Sequence, residues 1–392
     1  MDTLQVLPMG VDLAVKILIA LNSAWNLLNF RSGLIKAFVA QGHTVVLAAP
    51  TDENVQALEN LGTRFVAMPI NSHSINPLYD LALLWRYIRL LRQENPDVIL
   101  TFTAKPNVYG SLAARFLNIP AINNIAGLGS VFIKNSWVVF VLKALYRVSL
   151  ARSHKVFFQN PDDLKYFLTD RLVKEQFTAL LPGSGVDLQR FKPTELPYLN
   201  HIQKENTVTD NQFVFLLICR MVKEKGVEEY VQAARLIKKI YPDVICALLG
   251  PIDNDNPSAI SETQMQFWVN EGTVSYWGKT NDVRIQIAKA DCIVLPSYRE
   301  GTPRSLLEAA AMSRPLVASN VPGCREVIQD GVNGFMCEPR NSHSLATAMK
   351  NILNLSSTTL KSMGRASRQV AEIKFDEQIV IKKYINSLEK IN

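Results

Sequence analysis

The sequence PSYREGTPRSLLEAAA, Pro296–Ala311, joins an apolar β-rich run, Asp291–Leu295, to an amphipathic helical pattern. Thr302 is placed to cap that helix, and Pro303 suits its first position, where the missing N–H costs nothing. The free amides of Arg304, Ser305 and Leu306 then point out of the helix start at the carboxyl edge of a sheet, a geometry that binds phosphate. Glu300 in the loop and Glu308 inside the helix bracket this start. Carboxylates accept hydrogen bonds from hydroxyls, so the pair suits polyols on either side of a diphosphate, which is the layout of a nucleotide sugar. Taken alone they also fit a loop charge and a solvated helix residue; Gly301 and Pro303 in a strand–loop–helix context favour the site.

Working outward, short β-rich runs alternate with amphipathic stretches along nearly all of the 392 residues. In the first half the expected strands are Val15–Leu21, Thr44–Ala48, Arg64–Met68, Val98–Phe102, Ala121–Ile125 and Lys155–Gln159. Helical patterns fall near 31–41, 53–61, 77–94, 107–117, 136–152 and 161–169. The periodicity breaks at LLPGSGVDLQRFKP, 180–193, and restarts with strands at Phe213–Cys219, Val244–Leu249, Thr273–Tyr276, Asp291–Leu295, Pro315–Ser319 and Gly334–Cys337. This βαβ repetition predicts an α/β chain of two Rossmann-like, doubly wound domains facing each other across a cleft. Their expected bounds are 1–185 and 186–372, with a closing helix at 373–392 that crosses back to the first domain.

Near the second domain's first strand, ICRMVKEKG (218–226) sets Arg220 at a strand end and Lys225 before a helix. A planar guanidinium and a point-charge ammonium suit a departing diphosphate and can take the place of a metal. Exposed charges around a turn are the bland reading of the same pair. Asp253, Asn254 and Asp255 spell D-x-D, a metal-binding pattern in other transferases. With Arg220 and Lys225 already meeting the phosphate charge, they read as a turn, and no metal is expected.

A composition of 48% hydrophobic and 20% charged residues excludes disordered and fibrous classes. Five cysteines without a C-x-x-C pair argue for a reducing compartment and against structural zinc. The opening MDTLQVLPMGVDLAV lacks a basic n-region, against a secretory signal. From Val98 to Pro161 there is no acid, while Lys105, Arg115, Lys134, Lys143, Arg147, Arg152 and Lys155 are basic. The first domain is therefore expected to meet an anionic partner. Within it, KNSWVVFVLKALYRVSLARSHK, 134–155, mixes Trp137, Phe140 and Tyr146 with cations and reads as a membrane-surface helix, or as a helix packed on the sheet. No nucleic-acid motif accompanies this charge.

Together, GSGVDLQRF, the Arg220 and Lys225 pair, PSYREGTP with Glu300 and Glu308, VPGCREVIQDGVNGF (321–335) and a closing helix after Phe375 resemble glycosyltransferase family 4, retaining enzymes of the GT-B fold. The runs FTAKPNVYGSLAA, NNIAGLGSVF and REGTPRSLLEA resemble bacterial members that extend undecaprenyl-diphosphate-linked saccharides in surface-glycan assembly. The resemblance implies a UDP-sugar co-substrate and a lipid-diphosphate-linked acceptor, with the protein peripheral at the cytoplasmic membrane face. It also implies that Arg220 and Lys225 hold the donor diphosphate, Glu308 the ribose, and Glu300 with the backbone of Gly301, Thr302 and Pro303 the transferred sugar. The leaving phosphate then takes the acceptor proton, and no protein nucleophile is needed.

The sequence departs from the family in its first loop, read as NSAWNLLNFRSG (22–33), which lacks a Gly-Gly pair. It also lacks a histidine after the strands ending near Phe102 and Ile125. Asn29, Arg31, Lys105, Asn107 and Asn124 are the expected acceptor contacts. A nucleotide-sugar 2-epimerase and a non-catalytic nucleotide-sugar binder share the fold and remain the rival readings.

Overall fold

Apolar runs and amphipathic segments become two parallel sheets in the computed structural model, which describes residues 14–71, 76–128, 137–193, 212–254 and 256–391. The first sheet contains β1 Lys16–Ala20, β2 Thr44–Ala49, β3 Arg64–Ala67, β4 Val98–Phe102, β5 Ala121–Ile125, β6 Lys155–Phe158 and β7 Thr178–Leu180, in the order β3-β2-β1-β4-β5-β6-β7. The second contains β8 Val214–Ile218, β9 Ile245–Leu249, β10 Ser275–Tyr276, β11 Cys292–Leu295, β12 Leu316–Ser319 and β13 Gly334–Cys337, in the order β10-β9-β8-β11-β12-β13. Strands β1, β2, β4, β5, β8, β9, β11 and β12 are almost wholly buried, as parallel strands covered on both faces must be.

Helices of the first lobe are α1 Ala24–Ala40, α2 Val55–Glu59, α3 Pro77–Glu94, α4 Ser111–Phe116, α5 Trp137–Ser149 and α6 Pro161–Thr169. Those that follow are α7 Val227–Lys238, α8 Glu262–Asn270, α9 Val283–Lys289, α10 Arg304–Ala311, α11 Ser342–Leu353, α12 Ser357–Lys374 and α13 Glu377–Leu388. Strand order reverses between β1 and β4 in one sheet and between β8 and β11 in the other. Loops leave in opposite directions there, so a crevice opens beyond the carboxyl ends of these four strands.

The chain passes between lobes twice, and the crossings lie side by side: Val186 N–H donates to the Phe375 carbonyl at 2.7 Å, and Glu377 N–H donates to Val186 O at 3.1 Å. Helix α13 then packs into the core of the first lobe through Val380, Ile381, Tyr384 and Leu388.

Three local expectations are corrected. The expected first loop is helical from Ala24, because the Ser23 side chain caps the Asn26 N–H at 3.1 Å and Asp52 accepts from the Trp25 N–H at 2.8 Å. Strand β7 was not foreseen; three residues among Gly and Pro signals are too few to show periodicity. Pro303 is the cap residue of α10, not its first residue, with extended φ −73° and ψ 119°, and Thr302 makes no cap bond. Its hydroxyl donates instead to the Gln159 carbonyl of the other lobe at 2.9 Å.

Candidate active site

The crevice between the lobes holds a cavity of about 970 Å³, large enough for a nucleotide sugar. Its C-terminal wall starts at β8. After Ile218 the chain runs through Cys219 and Arg220 into a single turn, Lys223–Lys225. Gly226, at φ +73°, ends that turn, and a Cβ there would lie 2.1 Å from the Pro296 carbonyl oxygen. Only glycine lets the turn bearing Lys225 lie so close to the loop after β11.

Across this contact Lys225 Nζ meets Glu300 Oε1 at 2.5 Å, and Ser297 Oγ donates to the same oxygen at 2.7 Å. Among the described residues Glu300 Oε2 has no hydrogen-bond partner. Burial opposes the Lys225 charge, but the Coulombic attraction and hydrogen bond of Glu300 outweigh it, so the ammonium pKa lies above its usual value. Arg220, half exposed, rests on Asp253 at 3.3 Å. Asp253 thereby orients a cation; Asn254 donates to Glu262 at 3.3 Å, and Asp255 lies outside the described residues. No group of three or more His, Cys, Asp or Glu among the described residues is placed to hold a metal ion.

Helix α10 points its start into the cavity. The Leu306 and Leu307 amides both turn back to the Pro303 carbonyl, so those of Arg304 and Ser305 are the ones the helix does not use. Leu306 itself is fully buried and absent from the lining, while Gly301, Thr302, Pro303, Ser305 and Glu308 line it. Arg304 Nε donates to Glu308 Oε1 at 2.9 Å, Oε2 has no partner among the described residues, and Arg304 Nη1 donates to the Gly185 carbonyl at 2.6 Å. Burial raises the Glu308 pKa, offset in part by Arg304.

The loop carrying Glu300 is also gripped by the N-terminal lobe. Asn160 Nδ2 donates to the Gly301 carbonyl at 3.1 Å, and Arg299 pairs with the buried Asp163. A Cβ on Gly301 would lie 1.9 Å from the Ala126 carbonyl oxygen, so the lobes touch where glycine permits it. Sequence reasoning missed Gln159, Asn160, Asp163 and Ser184 in this contact. Asn-Pro-Asp-Asp at 160–163 carries a helix-start signal, but nothing in it reports the other lobe.

On the N-terminal wall, Asn29 and Arg31 line the cavity from α1, not from a loop. Asn29 Nδ2 donates to the Trp25 carbonyl at 3.0 Å. Arg31 is 6% exposed, and its Cζ lies 4.3 Å from the centre of the Phe102 ring. Burial lowers its pKa to about 10, with the Tyr384 phenol opposing and Arg304 adding to the shift.

The other three expected acceptor contacts are not part of the lining. Lys105 pairs with Asp80 of α3 at 2.5 Å. Asn107 is buried, accepting from Thr101 Oγ1 at 2.7 Å and donating to the Asn124 carbonyl at 2.8 Å. Asn124 is buried between Gln159 and Tyr384, at 3.1 and 2.8 Å. Asp80 claims the Lys105 charge, and the polar atoms of Asn107 and Asn124 are consumed in a buried hydrogen-bond network with Thr101, Gln159 and Tyr384.

Two α/β lobes face each other across one cavity lined by cations, unused helix amides and carboxylates, an arrangement of the kind found in two-lobed group-transfer enzymes. Residues 30–183 match the family description "Glycosyl transferase 4-like domain" and residues 200–370 match "Glycosyl transferases group 1". The chain is 30% identical to the N,N'-diacetylbacillosaminyl-diphospho-undecaprenol alpha-1,3-N-acetylgalactosaminyltransferase of Campylobacter jejuni, over 93% of this chain and 95% of that protein. It is 24% identical to the UDP-Gal:alpha-D-GlcNAc-diphosphoundecaprenol alpha-1,3-galactosyltransferase of Escherichia coli, over 73% of each chain.

Among solved structures, Anabaena HepE in complex with UDP and glucose aligns with a TM-score of 0.78 at 19% identity, covering 96% of this chain and 100% of that one. A glycosyltransferase from Rickettsia africae aligns with a TM-score of 0.77 at 21% identity, covering 97% and 99%. The fold is GT-B, and the chain belongs to the glycosyltransferases that pair a 4-like N-terminal domain with a group 1 C-terminal domain.

Proposed function

We propose that the enzyme is a retaining, metal-independent transferase that moves a sugar of the N-acetylhexosamine class from a UDP-sugar to an undecaprenyl-diphosphate-linked saccharide in surface-glycan or glycoprotein-glycan assembly. The observation that carries this reading is the Lys225–Glu300 pair set beside the open start of α10 in a cavity of nucleotide-sugar size. Phosphate oxygens suit the Arg304 and Ser305 amides, with Arg220 and Lys225 neutralising the diphosphate as its bond to the sugar breaks. Glu308 Oε2 takes the ribose hydroxyls and Glu300 Oε2 the transferred sugar. The leaving phosphate removes the acceptor proton on the face where its own bond breaks, so configuration is retained without a protein nucleophile. The names of the Campylobacter and Escherichia relatives support a lipid-diphosphate acceptor, and the Anabaena complex supports UDP. Asn29 is the contact we assign to the acceptor from the N-terminal wall.

The proposal places the protein at the inner face of the cell membrane, held by its N-terminal domain. Trp137 and Phe140 of α5 are 73% and 76% exposed. Leu78 and Trp85 of α3 and Phe116 at the end of α4 are exposed too, beside the exposed Arg86, Arg89 and Arg92. Apolar tips among arginines suit an anionic headgroup layer. Of the cations expected on α5, Lys143 pairs with Asp170 at 2.7 Å and Arg147 donates to the Asp170 carbonyl at 2.9 Å; Lys134 lies outside the described residues. No described helix is long and apolar enough to cross a membrane.

A panel of UDP-sugars incubated with a short-chain lipid-diphosphate saccharide tests the proposal, with and without a chelator. Lipid-linked product, unaffected by the chelator, is expected. Interconverted free nucleotide sugars would mean an epimerase, binding without turnover a sensor, and activity restored by a divalent ion a metal-dependent enzyme.

A further inference from the structure

Arg31 is the most deeply buried cation lining the cleft. Lys225, Arg220 and Arg304 each have a carboxylate partner, at 2.5, 3.3 and 2.9 Å. Arg31 is the more deeply buried, yet among the described residues its guanidinium makes no ion pair, and its Nε is a buried donor without an acceptor. The neutral Phe102 ring beneath it and the Tyr384 phenol are its compensation, and Arg304 is a second positive charge nearby. Burying a cation without a counter-charge is costly, and an unmet buried polar group calls for an explanation.

A second unmet group follows Phe102 directly. Thr103, the residue after β4, has φ +65°, a left-handed conformation that is strained for a β-branched residue. Its Oγ1 is buried without a partner. Both residues line the same cavity, on the wall opposite α10.

We infer that Arg31 and Thr103 form an oxyanion subsite on the N-terminal wall of the cleft, completed by the diphosphate of a substrate. The inference rests on the reading that the cleft takes diphosphate-bearing substrates. A guanidinium only donates, in a planar fork that matches phosphoryl oxygens, and the threonine hydroxyl can donate to the same group. A sugar hydroxyl would satisfy Nε but leave the charge uncompensated; an oxyanion meets both needs at once. The nucleotide donor and the lipid-linked acceptor both carry this group. Because Arg31 and α10 belong to different lobes, a donor diphosphate touching both would also tie the lobes together.

The test measures Arg31→Met, Arg31→Lys and Thr103→Val in two arms. The donor arm compares the Kd of UDP with that of uridine by calorimetry. The acceptor arm compares KM for a lipid-diphosphate saccharide with KM for the same saccharide on a neutral aglycone. In one arm Arg31→Met should weaken the diphosphate ligand at least ten-fold and leave its neutral counterpart unchanged. Arg31→Lys should restore part of this loss, and Thr103→Val should lose several-fold in the same arm. Arg31→Met should melt no lower than the wild type, since it removes an uncompensated buried charge. Equal losses for charged and neutral ligands, or no loss in either arm, would overturn the subsite. A wild type that binds UDP but transfers nothing, with the Arg31→Met loss intact, would sink the proposed function and spare the subsite. Transfer by the wild type with neither arm responding would do the reverse.

Discussion

Two helices start at the crossovers facing the cleft, and they start differently. At α1 the end is occupied from within: Ser23 caps it and the Asp52 carboxylate accepts from the Trp25 amide. At α10 the cap residue is a proline without a side-chain acceptor, and the end stays open. A carboxylate at a helix start offsets the positive end of its dipole, so α1 has little left for a ligand anion while α10 keeps all of it. The difference supports the proposal that the nucleotide binds on the C-terminal lobe, whose cations Arg220, Lys225 and Arg304 rest on carboxylates. It leaves the N-terminal wall to single side chains.

The sharpest way to break this comparison is to remove the C-terminal machinery. Lys225→Ala or Glu300→Ala should lower kcat about 10²- to 10³-fold with the far-ultraviolet circular dichroism unchanged, the scale of losing one oriented charge at a reacting group. Comparable kcat losses from Asn29→Ala would erase the asymmetry. Next, Gly301→Ala forces the lobes apart at the Ala126 carbonyl; about 10²-fold lower turnover is expected, with UDP affinity much less affected, because a shift of about 1 Å misplaces the acceptor.

Smaller again is Glu308→Gln, which should weaken UDP about ten-fold, in the range of one hydrogen bond to a charged group. Burial raises the Glu308 pKa above 4.5, so UDP affinity in the wild type should fall, as pH is lowered, before ordinary carboxylates protonate; the glutamine variant should lack that limb. Stability moves oppositely. The contribution of protonated Glu308 is present below pH 4.5 and is lost as pH rises through the folded pKa, so the glutamine variant should gain on the wild type toward neutral pH. The smallest effect sharpens the other side: Asp52→Ala should cost about 1 kcal/mol in denaturant unfolding and leave UDP affinity unchanged.

The same asymmetry governs what was readable in the sequence. Strands such as β4 and β13 and helices such as α3 and α6 follow from composition and caps that act within a few residues, and their bounds agree with expectation to the residue. The C-terminal wall was legible for a related reason: Glu300, Gly301 and Glu308 sit in one contiguous stretch. The N-terminal wall is assembled from distant pieces. Lys105 and Asn107 follow a strand end, as site residues do, but Asp80 and the buried network claim them through tertiary contacts that no local pattern reports. Thr103, one residue past the expected strand, is singled out only by its backbone angle and its unmet hydroxyl.

The return of α13 to the first lobe has a consequence for biogenesis. Tyr384 lies against Phe102 and Phe157, its hydroxyl accepts from Asn124, and Lys383 reaches the Leu180 carbonyl. During synthesis the first sheet therefore leaves the ribosome with a gap that α13 fills after the second lobe has been made. A nascent N-terminal half should keep sticky apolar surface until then, which gives chaperones a long window and makes this enzyme sensitive to C-terminal truncation far from any bond it rearranges.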